Sequence, residues 1–306
     1  MRIAHALTAL ALCPLIALGA IDNGSWSLAP VDQSRVEFSL RGSNGSHHFD
    51  SSSDWQLSDF HGLDWATAAR HDVHFTIVRD AGTIEAQGFV QDQRGAGLFT
   101  FKSNPQYISE MQKLGISFKD EDLYSAAAFD VSFEFVRAMK GLAVQGLDAQ
   151  KLMAFRIHGV TPDFVRGLRG EELKAADADK LIAFRIHGVS PEFVKGLRGA
   201  GVGASDEDKL IAFRIHGVSP EFIKGLHDSG IDVSDPEKLV AFRIHGVSPE
   251  FVGDLKHLGY QHTPPEQLIA LRIHGVTPEY IESMRAKGLH DLTLEQLVNM
   301  RIHGID

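Results

Sequence analysis

The chain has 306 residues, enough for two domains or for one domain and an array. Its formal net charge of −10 argues against a nucleic-acid surface, because phosphate binding needs a concentrated positive field. Apolar content, 43%, is ordinary for a globular protein.

Residues 1–20 read as a secretory signal peptide. Arg2 gives a positive start, and Ala6 to Ala17 an apolar core interrupted by Pro14. Ala17-Leu-Gly19 or Leu18-Gly-Ala20 offers a small-residue cleavage site. The stretch is short for a membrane span. The one cysteine, Cys13, lies inside it. After cleavage none remains, so no disulfide, thiolate nucleophile or thiolate zinc site is expected. Leu10-Ala-Leu-Cys13 loosely resembles a lipoprotein signal, but Leu12 stands where a small residue belongs. Membrane association is therefore expected only if Cys13 is lipidated. The expected location is periplasmic or secreted.

Residues 21–103 change character. Val36, Phe38 and Leu40 alternate with polar residues, as do Val73, Phe75 and Ile77; Thr83 to Val90 and Gly95 to Phe101 follow. Period-two alternation bounded by Gly, Asn, Asp and Ser predicts antiparallel strands. Asn44-Gly45 and Asp80-Ala-Gly82 suit hairpin turns. The expectation is a small antiparallel β-domain, a meander or sandwich of roughly five to seven strands. Trp26, Trp55 and Trp65 are expected in the core or at a domain contact, with ligand stacking as the alternative.

Helices are predicted from Asn104-Pro105 to the end, residues 104–306. Their organising unit is Arg-Ile-His-Gly, whose histidines are His158, His187, His216, His245, His274 and His303, each 29 residues after the last. A strict period in this range signals stacked structural repeats. Within one period the first helix is expected to start at Ser205 and to stop at Gly217 in a left-handed cap. Ser234, Thr263 and Thr293 would start its sisters, with Glu237, Glu266 and Gln296 completing capping boxes. The second helix opens with Ser219 as cap and Pro220 at the first position, and Phe222, Ile223 and Leu226 form its apolar face. A degenerate copy at about 117–145 has Phe129, Asp130 and Phe133 in place of the histidine, glycine and proline, and regular repeats fill about 146–306. The fold class expected is α+β: the small N-terminal β-domain followed by an α-solenoid of helical hairpins.

The run Leu-x-Ala-Leu/Phe-Arg-Ile-His-Gly-Val-Thr/Ser-Pro-Glu-Phe/Tyr resembles repeats in the C-terminal region of some BlaR/MecR-like antirepressor metallopeptidases. It is also similar to stand-alone exported bacterial proteins with a small N-terminal β region. The chain has no His-Glu-x-x-His, so the peptidase activity of the larger proteins does not carry over. The resemblance implies an envelope module linked to sensing or protein interaction.

The repeated histidines do not suit a shared metal. Equivalent side chains on neighbouring helices are about 8–10 Å apart, whereas two ligands of one zinc each lie about 2 Å from it. A structural role at the helix end is expected for Arg156, His158, Gly159, Arg185, His187, Gly188, Arg214, His216, Gly217, Arg243, His245, Gly246, Arg272, His274, Gly275, Arg301, His303 and Gly304. Two readings of the arginines stand side by side. Arg156, Arg185, Arg214, Arg243 and Arg272 each precede an acid by seven residues (Asp163, Glu192, Glu221, Glu250, Glu279) and can pair with it or with an adjacent layer. Alternatively each bonds free carbonyls at helix ends.

In the β region, His71 and His74 are three apart on a strand and face opposite sides, a poor chelate. His47-His48 is the other histidine pair. No phosphate loop, nucleophile elbow or zincin motif occurs. A loose basic row, Arg166, Arg169, Lys195, Arg198, Lys224, Lys256 and Arg285, marks the second helices as a candidate partner-binding strip. The expected function is a non-enzymatic interaction or scaffold module with a protein partner and no cofactor or metal. The alternative is a ligand-binding protein or enzyme with its site in the β-domain or at the domain junction.

Overall fold

The computed structural model describes residues 23–43, 48–175 and 177–306; side chains of Ser43 and His48 are not described. The signal-peptide reading of 1–20 with Cys13, the Asn44-Gly45 turn and His47 lie outside the described residues. The fold is α+β, an antiparallel sheet followed by helical repeats. The chain divides into two compact units, one ending at Pro162 and one spanning Asp163–Asp306.

The first unit opens with β1 (Asn23–Pro30), β2 (Arg35–Ser43), β3 (His48–Gln56), β4 (His71–Arg79), β5 (Gly82–Gln91) and β6 (Arg94–Ser103). They form a single six-stranded sheet of order β3-β2-β1-β6-β5-β4. Two three-strand meanders are thus joined by β1 against β6, with Trp26 opposite Gly97. Arg79 faces Gly82 across a two-residue turn, and Gln91 faces Arg94 across Asp92-Gln93. Both residues of that second turn have positive φ, the geometry that matches the twist of a tight hairpin.

Alternation puts Val36, Phe38, Leu40, Val73, Phe75, Ile77 and Ile84 in the core. Trp26 packs edge-on to Phe75 at 5.0 Å, and Phe38 to Trp55 at 5.4 Å. Four helices follow: α1 (Pro105–Lys113), α2 (Leu123–Ala128), α3 (Phe133–Gly141) and α4 (Ala149–His158). The short helix α2 lies against β5 and β6. Its Tyr124 stacks on Phe99 at 5.7 Å and meets Phe49 and Phe101 edge-on. The degenerate copy spans α2 and α3. Its Asp130 takes the left-handed conformation, φ 54°, that glycine holds in regular repeats, which a short polar side chain tolerates. Its carboxylate lies 3.0 Å from Arg156 Nη2 and 3.5 Å from Arg79 Nε. Burial pushes that carboxyl up from its ordinary pKa, against the pull of Arg79 and Arg156.

In order, the later helices are α5 (Pro162–Gly170), α6 (Ala178–His187), α7 (Pro191–Gly199), α8 (Glu207–His216), α9 (Pro220–Asp228), α10 (Pro236–His245), α11 (Pro249–His257), α12 (Pro265–Ile273), α13 (Pro278–Ala286) and α14 (Leu294–Ile302). First helices α6, α8, α10, α12 and α14 stack on one another in turn; so do second helices α7, α9, α11 and α13. Phe184, Phe213 and Phe242 from the first row and Val194, Ile223 and Val252 from the second fill the core between them.

The second helices start as the sequence predicts. Ser219 Oγ accepts from Phe222 N at 3.2 Å and Pro220 takes N1. Their stacking depends on a residue sequence reasoning passed over. A Cβ on Gly196 would lie 2.7 Å from Pro220 Cγ, and one on Gly225 2.7 Å from Pro249 Cγ. Glycine inside α7 and α9 lets the next repeat's proline come that close, offsetting a helix-interior cost of about 1 kcal/mol, whereas α11 carries Asp254 at the equivalent position.

The first-helix starts need correction. The cap is Asp206, not Ser205, and Asp235, not Ser234. Pro236 explains the latter shift, since proline prefers N1 and so moves the cap to Asp235. Thr263 is buried one residue before the cap position, Pro264. Of the predicted boxes only Thr293 with Gln296 forms.

Candidate functional site

The Arg-Ile-His-Gly turn is built by three separate demands. Gly217 closes α8 at φ 71°, and Val218 N reaches back to Phe213 O at 2.8 Å, a Schellman stop. Gly188 and Gly246 repeat this with φ 73°. Gly159 does so after α4 at φ 71°, and Gly275 and Gly304 also have positive φ.

The arginine crosses to the preceding repeat. Arg214 Nε donates to His187 O at 3.2 Å, Arg243 to His216 O at 3.4 Å, Arg272 to His245 O at 3.3 Å and Arg301 to Gly275 O at 3.1 Å. Arg156 does the same to Phe129 O at 2.9 Å. Each guanidinium also lies over an aromatic ring: Arg185 over Phe164, Arg214 over Phe193, Arg243 over Phe222, Arg272 over Phe251 and Arg301 over Tyr280, at 4.6–5.0 Å. The helix-end carbonyl is therefore the partner of these arginines. The acid seven residues on is used otherwise. Glu192, Glu221 and Glu250 have carboxyls held below their ordinary pKa by backbone N–H groups at the helix start and by the capping serines. At Glu279, Thr277 and the helix start act first, and Arg272 adds an attraction.

The histidine's contribution to this strut is its carbonyl. The side chains of His158, His216, His274 and His303 are exposed, and those of His187 and His245 half-buried. The residue between arginine and histidine was missed. Ile186, Ile215, Ile244, Ile273 and Ile302 are each 43–57% exposed, one per repeat, and Ile157 is 43% exposed in the first unit. One turn earlier Ile211, Val240, Ile269 and Val298 are half-buried, and Ala212, Ala241 and Ala270 beside them likewise. An apolar strip thus runs over the outer side of the first-helix row. The signal was legible: Leu210-Ile-Ala-Phe is followed by Ile215, so apolar residues surround the helix instead of marking one face. At the other end of these helices Lys180 pairs with Asp208, Lys209 with Glu237 at 3.9 Å and Lys238 with Glu266 at 2.5 Å, repeat to repeat.

The basic row of the second helices is mostly engaged internally. Arg166 pairs with Asp163 at 2.5 Å, and Arg169 Nη2 donates to Ala175 O at 3.4 Å. Arg198 bridges Glu171 at 3.7 Å and Glu172 at 3.5 Å. Arg285 donates to Leu258 O at 2.5 Å. Lys256 reaches toward Gly230 and is half-buried, while Lys195 and Lys224 are exposed.

In the β-domain Trp26 and Trp55 are buried. Trp26 Nε1 donates to Gln87 O and Trp55 Nε1 to Ser53 Oγ, so both indoles belong to the core. Trp65 is half-buried. His71 is held by two backbone carbonyls, Nδ1 2.8 Å from Ala69 O and Nε2 3.1 Å from Asp64 O. His74 is exposed on the opposite strand face. Among the described residues no three His, Cys, Asp or Glu side chains converge as a metal site, and no helix is long and apolar enough to cross a membrane. No family model matches the chain, and no curated protein matches it.

Proposed function

We propose that the chain is a non-enzymatic, exported interaction module that captures a protein partner through its helical repeats. One observation carries this reading: a large aliphatic side chain stands exposed at the same position of every regular repeat, Ile186 through Ile302. A single exposed isoleucine is ordinary, whereas a periodic strip rimmed by charges is what an interaction surface presents. Stacked helical hairpins supply extended surfaces of this kind. The repeated arginines, glycines and serines already have roles in the fold, which leaves the exposed isoleucine without one. The signal-like residues 1–20 and the resemblance to antirepressor repeats support an envelope setting.

The test compares full-length protein with an Ile215→Asp, Ile244→Asp, Ile273→Asp variant in crosslinked capture from envelope extract. Wild type is expected to retain a defined partner that the variant loses at unchanged helical content. Equal capture by both removes the array-face reading. Turnover of an envelope substrate, lost on changing His47 or His71, would instead establish the alternative, a site in the β-domain.

A further inference from the structure

We propose that the Arg-Ile-His face binds an extended acidic segment of another protein, one carboxylate to each open arginine and one apolar side chain against each exposed isoleucine. This deepens the interaction reading and rests on it.

The chain itself shows what these arginines take. Arg156, with Nε on the Phe129 carbonyl, receives the Asp130 carboxylate on Nη2 at 3.0 Å. Arg301, with Nε on the Gly275 carbonyl, pairs through Nη1 with the carboxylate of Asp306. In the repeats between, the position of Asp130 is glycine. A Cβ built on Gly188 would lie 2.7 Å from Arg214 Nη2, on Gly217 3.0 Å from Arg243 Nη2 and on Gly246 2.8 Å from Arg272 Nη2. The corner that Asp130 fills beside Arg156 therefore carries no side chain beside Arg214, Arg243 or Arg272. Among the described residues no carboxylate forms an ion pair with Arg214 or Arg243; their bonds are those to the His187 and His216 carbonyls.

These guanidiniums are fixed before any partner arrives. One N–H is held by a carbonyl and the plane rests on a phenylalanine ring. A planar fork held still is suited to carboxylate, and little ordering entropy is left to lose. The lysines at the far end of the same helices are already matched by acids, so the arginine row is the positive feature of the strip.

Spacing selects the partner's conformation. Side-by-side helices lie about 8–10 Å apart. Three residues of polyproline II advance about 9 Å, while two residues of a strand advance only about 7 Å. An acid and an apolar residue recurring every third position in a polyproline II segment would thus stay in register with the repeats.

The experiment titrates full-length protein into a fluorescent peptide of repeated Glu-Pro-Val triplets and follows anisotropy. Binding is expected, weakening as salt rises. Gly217→Asp places an aspartate where Asp130 stands, self-pairs Arg243 and should weaken binding about tenfold, the loss of one charge-assisted contact. Asp306→Ala frees Arg301 and should tighten it. Should Gly217→Asp unfold the array, as its melting curve would reveal, Arg243→Gln supplies the same test. A peptide of Lys-Pro-Val triplets should not bind. Absence of Glu-Pro-Val binding, or binding indifferent to these variants, overturns the proposal, as does binding only to phosphatidylglycerol vesicles or only between copies of the chain. If the isoleucine variant still abolishes partner capture while the acidic peptide fails, the interaction reading stands and only the acidic assignment falls.

Discussion

Arg243 donates its Nε–H to the main-chain carbonyl of His216, 3.4 Å away and 27 residues back, while its guanidinium lies 4.8 Å above the ring of Phe222. One side chain thereby ties the end of its own helix to the end of the previous first helix and to the previous second helix. This gives a physical reason for a period that never slips. One inserted residue would turn the arginine by about 100° around its helix and remove it from both contacts.

The same turn predicts an order of damage. Gly217 sits at φ 71°, and a Cβ there meets Arg243 Nη2 at 3.0 Å. Gly217→Val should cost about 1–3 kcal/mol through backbone strain alone. The His216 side chain is exposed and its structural bond comes from its carbonyl. His216→Ala should therefore stay within about 0.5 kcal/mol. Urea titrations of both variants check this; a larger loss for His216→Ala would make the imidazole part of the core.

Two tyrosines in the first unit separate satisfied from unsatisfied burial. Tyr107 Oη donates to Val131 O at 2.7 Å, whereas Tyr124 Oη is buried without a partner. Burial pushes both phenols above their ordinary pKa. Tyr107→Phe leaves a carbonyl stranded and should cost about 1–2 kcal/mol. Tyr124→Phe removes a hydroxyl that gains nothing and keeps the ring stack on Phe99, so it should be neutral or stabilising by up to about 1 kcal/mol. Chemical denaturation monitored by near-UV circular dichroism distinguishes the two.

Much of this architecture was legible because repetition averages out local ambiguity. Six copies of Arg-Ile-His-Gly marked one helix end, and Ser-Pro-Glu marked the next start. The sheet was legible in Phe38 or Ile77, where alternation is clean, but its β1–β6 closure was not, since pairing partners are a tertiary property. The Thr293 cap was legible, but those at Ser205 and Ser234 were misplaced by one residue because Ser and the Asp after it are both good caps and only the chain's geometry chooses. The sequence left the arginine with two partners, the acid seven residues on or a free helix-end carbonyl, because the carbonyl that decides between them lies in the preceding repeat. The exposed isoleucines were passed over because residue type alone does not report which side of an all-apolar helix is covered.

His71 should titrate above its ordinary value of 6.5. The Ala69 carbonyl on Nδ1 is the largest cause, with the Asp64 carbonyl and charge adding to it. Only the imidazolium has N–H groups on both nitrogens to give to both carbonyls. A raised pKa means that the stabilisation is complete below 6.5 and is lost as pH rises through the higher folded value. Histidine ring NMR should place His71 above 6.5, and His71→Ala should flatten the fall of stability as pH rises above 6.5. A titration at or below 6.5 would mean that the loop holds neutral histidine.

The second helices should set the acid limit of the array. Glu192, Glu221, Glu250 and Glu279 sit at equivalent helix starts, and all four carboxyls are held below their ordinary 4.5. At the first three the helix-start N–H is the largest cause and the serine hydroxyl follows; at Glu279 the order is Thr277, then the helix start. Groups with depressed pKa stabilise the fold above their unfolded value, and that contribution is lost as pH falls through the folded values below 4.5. Each carboxylate is solvent-facing, so each contribution is small, but the repeats stack and their losses fall in one pH window. The urea midpoint, followed by far-UV circular dichroism, should therefore drop as pH is lowered below 4.5. Glu221→Gln with Glu250→Gln should lower the midpoint at neutral pH and shrink that drop, because the charge that acid removes is already gone. A double variant that keeps the full acid drop would assign it to the acids of the Lys180–Asp208 and Lys238–Glu266 row instead.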